Sequence, residues 1–339
     1  MEEFNKMKKE TIINRLHSHY SKELNQINDI ILSCLQDSNN TLIYQISDYL
    51  IKAGGKRIRP ILTILSSQLF GYVGTAHISL ATATEFIHAA TLLHDDVIDS
   101  SLVRRFKPTA NSVWGDQAVI LVGDYLFSQA FILMVEADSM ESLKTLAQAS
   151  SIIAKGEVLQ LENVRTKKEI TRDEYFRTIE AKTAELFAAC CKVGAVIAKT
   201  SEQNINLIYE YGKYVGLIFQ IKDDMLDYFS NVDKIGKNIG DDFLEGKMTL
   251  PLIVLIEKAS KLDRKSIEIS FFDLSLRKSE NFKTIVDLMT QYKIKEEIEL
   301  MIEQYANLAF KCLEHLNIEE NINTKFLKEI INFASQRDN

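Results

Sequence analysis

The sequence has 339 residues, of which 46% are hydrophobic, and it contains only 3 prolines and 13 glycines. This composition excludes a disordered chain, and it favours helices almost throughout because closely spaced β-branched alternation with hairpin dipeptides is missing. The formal net charge of −7 and the isoelectric point near 5.5 argue against a nucleic-acid-binding protein, which would need a basic surface.

The chain carries no obvious targeting signal. Its first ten residues, MEEFNKMKKE, are charged with both signs and lack an apolar stretch followed by a cleavage site, so we expect no signal peptide. The longest apolar runs, such as Ala118–Gly123 and Leu250–Ile256, are much shorter than the ~20 residues that span a bilayer. The four cysteines have neither metal-ligand nor disulfide spacing, and we expect reduced thiols at Cys34, Cys190, Cys191 and Cys312. These features predict a soluble cytoplasmic protein.

The N-terminal third begins with one or two amphipathic helices over Met1–Leu35, which we expect to cover the core and to have little function of their own. The sequence GGKRIRP follows at residues 54–60. It places a basic cluster at the start of a helix predicted at Ile61–Phe70, with Pro60 suited to the first turn. Because anions bind at helix N-termini, this cluster predicts an anion site, with ordinary surface charge as the alternative.

A first aspartate cluster lies in LLHDDVIDSSLVRR, residues 92–105, at the end of a helix predicted at Ser79–His94. Asp95 and Asp99 are four residues apart and would share one face of a helix, where like charges repel. Mg²⁺ between them would remove the repulsion, since this ion is held by one or two carboxylates together with phosphate oxygens. The adjacent Arg104 and Arg105 could hold the phosphates. A solvated acidic patch is the alternative.

The helix that carries this cluster has small residues near the predicted metal. Thr91 and Ala90 lie on or beside the face of Asp95, and so does His88 two turns earlier. Glu85 and His88 form an E-x-x-H pattern that binds di-iron in some four-helix proteins, but a second such pair is not found. His88 is therefore predicted either as a core histidine or as a substrate contact.

A second aspartate cluster, QIKDDMLDY at residues 220–228, repeats the same spacing with Asp223, Asp224 and Asp227. Two such clusters on separate helices predict carboxylates that face each other across one polyanion. This pairing disfavours the solvated-patch alternative and suggests approximate internal symmetry.

The remaining segments carry weaker signals. Ala118–Val135 is predicted as an apolar core helix, and Thr171–Lys199 as a long helix that begins with a capping box. Lys182 and Thr183 lie in the middle of that long helix, where the lysine could also extend to solvent. The segment Ile235–Pro251 is predicted as a loop over a polar site, and residues 252–339 as scaffold.

The motifs together resemble the trans-isoprenyl diphosphate synthase family, and within it the long-chain (octaprenyl-type) polyprenyl diphosphate synthases. The resemblance runs from about Gly54 to Pro251. It rests on seven motifs in the family's order: GGKRIRP, LLHDDVID, the arginine pair, GEVLQ, Lys182-Thr183, QIKDDMLD and GKNIGDDFLEGK.

The resemblance implies an all-α bundle of about ten or more helices around a deep central apolar cavity, formed by residues 1–339 as a single domain. It also implies a homodimer and a magnesium-dependent prenyltransferase. That enzyme would condense isopentenyl diphosphate sequentially with an allylic diphosphate, such as farnesyl diphosphate, to give an all-trans polyprenyl diphosphate. The product would pass to the membrane, for example as a quinone side chain.

The resemblance further implies roles for individual residues. The catalytic set is Asp95, Asp96, Asp99, Arg104, Lys182, Asp223, Asp224 and Asp227. Roughly three Mg²⁺ would be held by Asp95, Asp99, Asp223 and Asp227. Isopentenyl diphosphate would bind Lys56, Arg59, His88 and Arg105. The allylic diphosphate would bind Arg104, Lys182, Thr183, Gln220 and Lys237.

Product length should follow the depth of the apolar cavity. Short-chain relatives carry bulky aromatic residues four or five positions before the first aspartate, where this chain has Ala90 and Thr91. The floor is predicted at Phe127, Phe131 or Met134 on the apolar helix. One departure is Phe106, where relatives commonly have glycine, which leaves the course of that loop open.

Several alternatives remain at this point. A shorter-chain, geranylgeranyl-type synthase would use the same motifs. A synthase that joins or cyclises prenyl chains would not need the GGKRIRP cluster. A non-catalytic subunit of a two-component synthase should have damaged aspartate clusters, and a helical metal-binding module would not explain the cations at Lys56, Arg59 and the arginine pair.

Overall fold

The computed structural model describes residues 11–36, 41–52, 55–104, 107–230 and 240–337. The first helices of the chain are α1 (Ile12–His19), α2 (Ser21–Gln36), α3 (Thr41–Lys52), α4 (Ile58–Leu69), α5 (Ala76–Ile98), α6 (Ala110–Trp114) and α7 (Asp116–Glu136). The middle of the chain forms α8 (Met140–Thr166), α9 (Arg172–Ile179), α10 (Glu185–Ile197) and α11 (Glu202–Phe229). The last helices are α12 (Asp241–Glu245), α13 (Leu250–Lys258), α14 (Lys261–Phe272), α15 (Ser279–Gln291), α16 (Ile294–His315) and α17 (Ile322–Gln336).

The fold is all-α, as predicted, apart from one short hairpin. Strand β1 (Val103–Arg104) pairs antiparallel with β2 (Lys107–Pro108), so that Val103 is opposite Pro108. Arg105 and Phe106 lie outside the described residues, and the predicted effect of Phe106 on this loop therefore stays open. The hairpin directly follows the first aspartate cluster.

The core lies where α4, α10, α11 and α13 meet the surrounding helices. Every residue from Leu250 to Ile256 in α13 is buried, and α10 is buried on nearly all sides. Helix α10 packs against α4, α8 and α11, and α11 packs in turn against α16. The two helices that end in aspartates, α5 and α11, are both held against α10. The four cysteines are free thiols, as predicted, and Cys190 and Cys191 belong to this core.

Helix α7 is more apolar than the remaining surface helices. It packs along α5, yet Leu121, Ile132 and Val135 on its outer face are 68%, 49% and 65% exposed. By length and composition, the 21 residues of α7 could cross a membrane, although a core helix of a soluble protein meets the same criterion.

The helix predicted at Thr171–Lys199 is interrupted. Its capping box is present, with the Thr171 side chain accepting from the Glu174 amide and the Glu174 carboxylate accepting from the Thr171 amide. However, Glu180–Ala184 form a π-helical turn between α9 and α10, and the helix ends at Ile197. Such turns are frequent at functional sites, and this one carries Lys182 and Thr183.

Candidate active site

One cavity of about 820 Å³ reaches both aspartate clusters. Asp95 and Asp99 line it from α5, and Asp223, Asp224 and Asp227 line it from α11. The structure therefore brings together carboxylates separated by more than a hundred residues in the sequence. A polyanion in this cavity would have both clusters beside it.

Two of the three aspartates in the first cluster, Asp95 and Asp99, line the cavity. Asp95 and Asp99 lie one turn apart on α5, and their side chains are only 16% and 19% exposed. Burial raises the pKa of Asp95, and the negative charge of Asp99 raises it further. The positive charge of Lys182 acts in the opposite direction. The helix ends at this point, because the Asp99 amide bonds the Asp95 carbonyl and Ser100 takes a positive φ of 51°.

Asp96 has a different position from the one implied for a catalytic residue. It is 2% exposed and binds Arg104, whose Nε and Nη2 lie 2.9 and 2.7 Å from its Oδ1. Arg104 also lines the cavity. Asp96 thus holds Arg104 in place from behind, which is a positioning role.

In the second cluster, Asp223 is paired with a residue that sequence analysis missed. The Asp223 Oδ1 lies 2.5 Å from Nη2 of Arg337, at the far C-terminal end of the described chain. The same Nη2 donates to the Phe219 carbonyl, and the guanidinium lies 4.6 Å from the centroid of the Phe219 ring. The expectation that residues 252–339 are only scaffold is therefore wrong. Arg337 is not part of any sequence motif, so its role could not be predicted from the neighbouring residues.

Asp224 faces inward. Its Oδ2 accepts from the Tyr175 hydroxyl at 2.6 Å, and its Oδ1 accepts from the Gln220 amide at 2.7 Å. Burial, with Asp242 nearby, raises the pKa of Asp224 to about 8. The Gln220 carbonyl accepts from the Thr183 hydroxyl at 2.7 Å. Asp224 thus belongs to a network that fixes two predicted substrate contacts, and it is a positioning residue.

Asp227 is held by the segment that follows it. Its Oδ2 accepts from the backbone amide of Asp242, and its carbonyl accepts from the Gly240 amide. Asp242 lines the same cavity and was not predicted as a site residue. The sequence signal was present, because Asp242 belongs to the acidic part of the segment predicted as a loop over a polar site. That loop contains helix α12 in its described part.

Lys182 extends into the cavity and not to solvent, so that alternative is excluded. Its Nζ lies 2.8 Å from Oε2 of Glu157 and 3.6 Å from Oδ2 of Asp95. Burial lowers the pKa of Lys182, but the two carboxylates outweigh it and the net shift is upward. Gly156 permits this contact, because a Cβ there would lie 2.9 Å from the Lys182 amide nitrogen. Burial, with Asp95 nearby, raises the pKa of Glu157 to about 7.

Three of the four predicted metal-binding carboxylates have positively charged partners. Lys182 lies near Asp95, Lys247 Nζ lies 2.7 Å from Oδ2 of Asp99, and Arg337 binds Asp223. Within the described parts of the chain, no three His, Cys, Asp or Glu side chains converge into a metal cage. Separate pairs of carboxylates suit Mg²⁺, which usually binds one or two carboxylates and completes its shell with phosphate and water. The oxygen donors therefore fit a magnesium diphosphate better than a bare ion.

A basic cluster occupies another part of the wall. Lys56, Arg59 and His88 line the cavity, with Arg59 Nη1 3.0 Å from His88 Nε2. Arg57 has a positive φ of 51° and forms an ion pair with Glu85. The predicted Lys56, Arg59 and His88 thus line one cavity, with Lys56 and Arg59 at the start of α4 and His88 on α5.

Two of these cations form cation–π contacts with aromatic rings. Lys56 Nζ lies 5.2 Å from the Phe333 ring centroid, and the Arg59 guanidinium lies 4.5 Å from that of Phe187. Phe187 stacks on Phe219 at 5.2 Å. The cations are attracted electrostatically to the faces of these rings. Arg105 and Lys237, which were predicted as diphosphate contacts, lie outside the described residues.

The predicted floor of the cavity does not agree with the structure. Met134 is buried in the core, Phe127 is half-buried, and Phe131 is 44% exposed on the outer face of α7. None of these three residues lines the cavity. The α7 residue that lines it is Leu126. The apolar part of the wall that follows α5 includes Ile31, Leu50, Ile51, Phe86, Ala89, Leu92 and Leu126.

Helices α2 and α3 therefore contribute to the site, and the expectation that Met1–Leu35 has little function is wrong for Ile31. Of the two small residues before the first aspartate, Thr91 lines the cavity, whereas Ala90 is fully buried beside it. The cavity follows α5 from Glu85 to Asp99. A helix rises 1.5 Å per residue, so this wall is about 20 Å long.

The model of the polyprenyl synthetase family matches residues 40–289, which is more than half of the chain. The chain belongs to the polyprenyl synthetase family. It is 42% identical over 241 residues to the octaprenyl diphosphate synthase of Escherichia coli (strain K12), covering 71% of this chain and 74% of that protein. It is 36% identical over 336 residues to the octaprenyl diphosphate synthase of Haemophilus influenzae, covering 93% and 100%.

A solved structure agrees with this membership. The crystal structure of polyprenyl synthase from Caulobacter crescentus CB15, complexed with calcium and isoprenyl diphosphate, superimposes with a TM-score of 0.91 at 38% identity. The match covers 96% of this chain and 98% of that one. Geranylgeranyl diphosphate synthases at 38% and 30% identity are also similar. The chain thus has the polyprenyl synthase fold and belongs to the trans-prenyltransferase class.

Proposed function

We propose that the protein catalyses a magnesium-dependent, sequential condensation of isopentenyl diphosphate with an allylic diphosphate, giving a long-chain all-trans polyprenyl diphosphate. The observation that carries this proposal is the shared cavity, in which two pairs of carboxylates, a basic cluster and a long apolar wall adjoin one another. Each of these parts suits one part of the two substrates.

The allylic diphosphate would bind between the two aspartate clusters, with Asp95, Asp99, Asp223 and Asp227 holding Mg²⁺ on its phosphates. Lys182, Arg104 and Lys237 would contact the same phosphates, and the Thr183–Gln220 pair would contact them from the π-turn side. Bound Mg²⁺ supplies Lewis-acid stabilisation of the leaving diphosphate.

Isopentenyl diphosphate would bind the basic cluster of Lys56, Arg59 and His88, together with Arg105. Arginine forms bidentate contacts with phosphate, while lysine acts as a point charge. Arg337 adds a cation at this side of the cavity.

The reaction breaks the bond between the allylic carbon and the diphosphate oxygen. The alkene of isopentenyl diphosphate then attacks the allylic cation, and a proton leaves to the departing pyrophosphate. Preorganised cations stabilise the negative charge that develops on the leaving group. A side-chain nucleophile is not required, which agrees with the fully buried and inert positions of Cys190 and Cys191.

A long product is favoured over a geranylgeranyl-type product by the small side chains near the metals. Thr91 and Ala89 line the cavity one to two turns before Asp95. The growing prenyl chain would pass these small side chains toward Leu126. The intact carboxylates and the paired cations favour an active enzyme over a non-catalytic subunit of a two-component synthase.

We further propose a homodimer that covers the outer face of α7. This face combines the exposed apolar side chains of Leu121, Phe131, Ile132 and Val135, and contiguous exposed apolar patches mark interaction surfaces. A two-fold axis would place the same face of two subunits together. Light scattering after gel filtration should give twice the chain mass, and Val135→Glu should shift the protein toward the monomer.

We also propose that residues 1–339 form one domain, that the protein acts in the cytoplasm, and that its product enters the membrane, where it would serve as a quinone side chain. The experiment is an assay of the purified protein with farnesyl diphosphate, radiolabelled isopentenyl diphosphate and Mg²⁺, with the products sized by chromatography. Growth to a long chain supports the proposal. A product that stops at four isoprene units, about the length of a geranylgeranyl chain, would select the shorter-chain alternative, and no incorporation without an added partner would select the two-component subunit.

A further inference from the structure

The cavity has a flank that lies mostly beyond the family motifs, which end there at Lys247. It is formed by the end of α14, by the loop between α14 and α15, and by residues 246–249. Arg277 projects into the cavity from that loop, on the same flank as Lys247 and Asp242. The resemblance ended at Pro251 and gave this residue no role.

Arg277 differs from other cations of the cavity wall because it lacks a carboxylate partner within the described residues. Ion pairs with carboxylates are formed by Arg57, Arg104, Lys182, Lys247 and Arg337. The Nε of Arg277 is buried and has no hydrogen-bond partner. Burial lowers the pKa of Arg277, with no nearby acid to oppose the shift. A cation that is partly removed from water without a counterion is costly, unless an anion binds it.

The guanidinium is held close to the metal-binding region. It lies against the Cα of Gly246, where an added Cβ would overlap its Nη1, and near the Phe271 ring at 5.9 Å. Gly246 has a φ of +78° and immediately precedes Lys247, whose Nζ reaches Asp99. The positively charged edge of Arg277 thus lies beside the peptide that brings Lys247 to the first aspartate cluster.

We propose that Arg277 is a further diphosphate-binding residue of this active site. Its planar fork suits two phosphate oxygens, and an anion there would also satisfy the buried Nε, which has no partner among the described residues. The proposal rests on the proposed function and adds a contact from outside the motif region. The bound group is either the allylic diphosphate or the pyrophosphate released after each condensation, and both present the same chemistry.

The test compares Arg277→Gln with Lys278→Gln, which removes the same charge from an exposed neighbour in the same loop. Binding of magnesium pyrophosphate is measured by calorimetry on the full-length protein. We expect Arg277→Gln to weaken binding about ten- to hundredfold, the range for a lost hydrogen bond to a charged group, and Lys278→Gln to bind as the wild type does. Arg277→Lys keeps the charge but not the fork, and should lie between them.

Steady-state kinetics then identify the group. An increased KM for farnesyl diphosphate alone assigns Arg277 to the substrate, and an increased inhibition constant for pyrophosphate alone assigns it to the leaving group. Pyrophosphate binding and both kinetic constants within about twofold of wild type in Arg277→Gln and Arg277→Lys would overturn the proposal. Calorimetry needs no turnover. If the wild type bound pyrophosphate but never extended a prenyl chain, the proposed function would fail while the role of Arg277 stood.

Discussion

Lys247 and Asp99 form an ion pair across the cavity, with 2.7 Å between Nζ and Oδ2. Lys247 follows α12, whereas Asp99 ends α5, so the pair connects the segment after the second aspartate cluster to the first cluster. Lys182 and Arg337 form similar pairs with Asp95 and Asp223. These cations offset the repulsion among the carboxylates. If a magnesium diphosphate bound the carboxylates, as proposed above, each cation could turn to a phosphate oxygen.

The two clusters can be tested by removing one carboxylate from each. Asp95→Ala and Asp227→Ala are each expected to lower kcat by about a hundredfold or more, because the negative leaving group loses its metal. The helical fold should survive in both variants. Asp287→Ala, on the exposed face of α15, serves as the control and should keep full activity. Circular dichroism that reported a collapsed fold in either cluster variant would make these acids structural.

Product length should depend on Leu126 and not on Met134. Leu126→Phe narrows the cavity and is expected to shorten the product. Met134→Ala should leave product length unchanged, because Met134 lies in the core away from the cavity, and should destabilise the fold by about 2–5 kcal/mol. Chromatography of the dephosphorylated products and denaturant unfolding check the two effects. A longer product from Met134→Ala would restore this residue to the floor.

The raised pKa of Glu157 predicts that the free energy of unfolding of the metal-free protein depends on pH. Its pKa rises from an ordinary 4.5 to about 7 in the fold, so the folded state binds a proton more tightly than the unfolded state. Its contribution is therefore fully present below pH 4.5 and is lost as the pH rises toward 7. Unfolding of Glu157→Gln at pH 5 and pH 7 should lack this loss, which is at most about 3 kcal/mol. Glu162→Gln, exposed on the same helix, should behave as the wild type; equal slopes in all three proteins would contradict the prediction.

Tyr175 provides a test of the positioning network. Tyr175→Phe removes a 2.6 Å hydrogen bond to the buried Asp224 and should cost about 1–3 kcal/mol of unfolding free energy. The KM for the allylic diphosphate should increase, because Asp224 also fixes Gln220 and through it Thr183. Phe176→Leu, at the neighbouring position, is the control for lost aromatic packing. An unchanged KM together with lowered stability would make the network purely structural.

Local patterns predicted most helices and the general position of the carboxylates. Apolar periodicity predicted α5 and α7 within a few residues of their ends, since the burial of one face requires that spacing. Motif spacing also predicted that Asp95 and Asp99 would share a face. In both cases the information lies within one or two turns of the chain.

The remainder depends on contacts between distant segments. Arg337 and Arg277 reach the cavity from the C-terminal helices, and Ile31 reaches it from the N-terminal ones. Nothing in their neighbouring residues distinguishes them from ordinary surface or core positions. The directions of Asp96 and Asp224 were also out of reach, because adjacent aspartates look alike until Arg104 and Tyr175 are placed beside them.

The π-helical turn at Glu180–Ala184 has a consequence for how this helix can vary. A π-turn holds one residue more than an α-turn, and neighbouring residues of a helix differ by ~100° in direction. Deleting one residue would leave both halves helical but rotate them against each other. Either Lys182 would turn away from the cavity, or α10 would present polar groups to α4. The number of residues in this turn therefore constrains the enzyme as strongly as their identity does, and a one-residue deletion should be more damaging there than most substitutions.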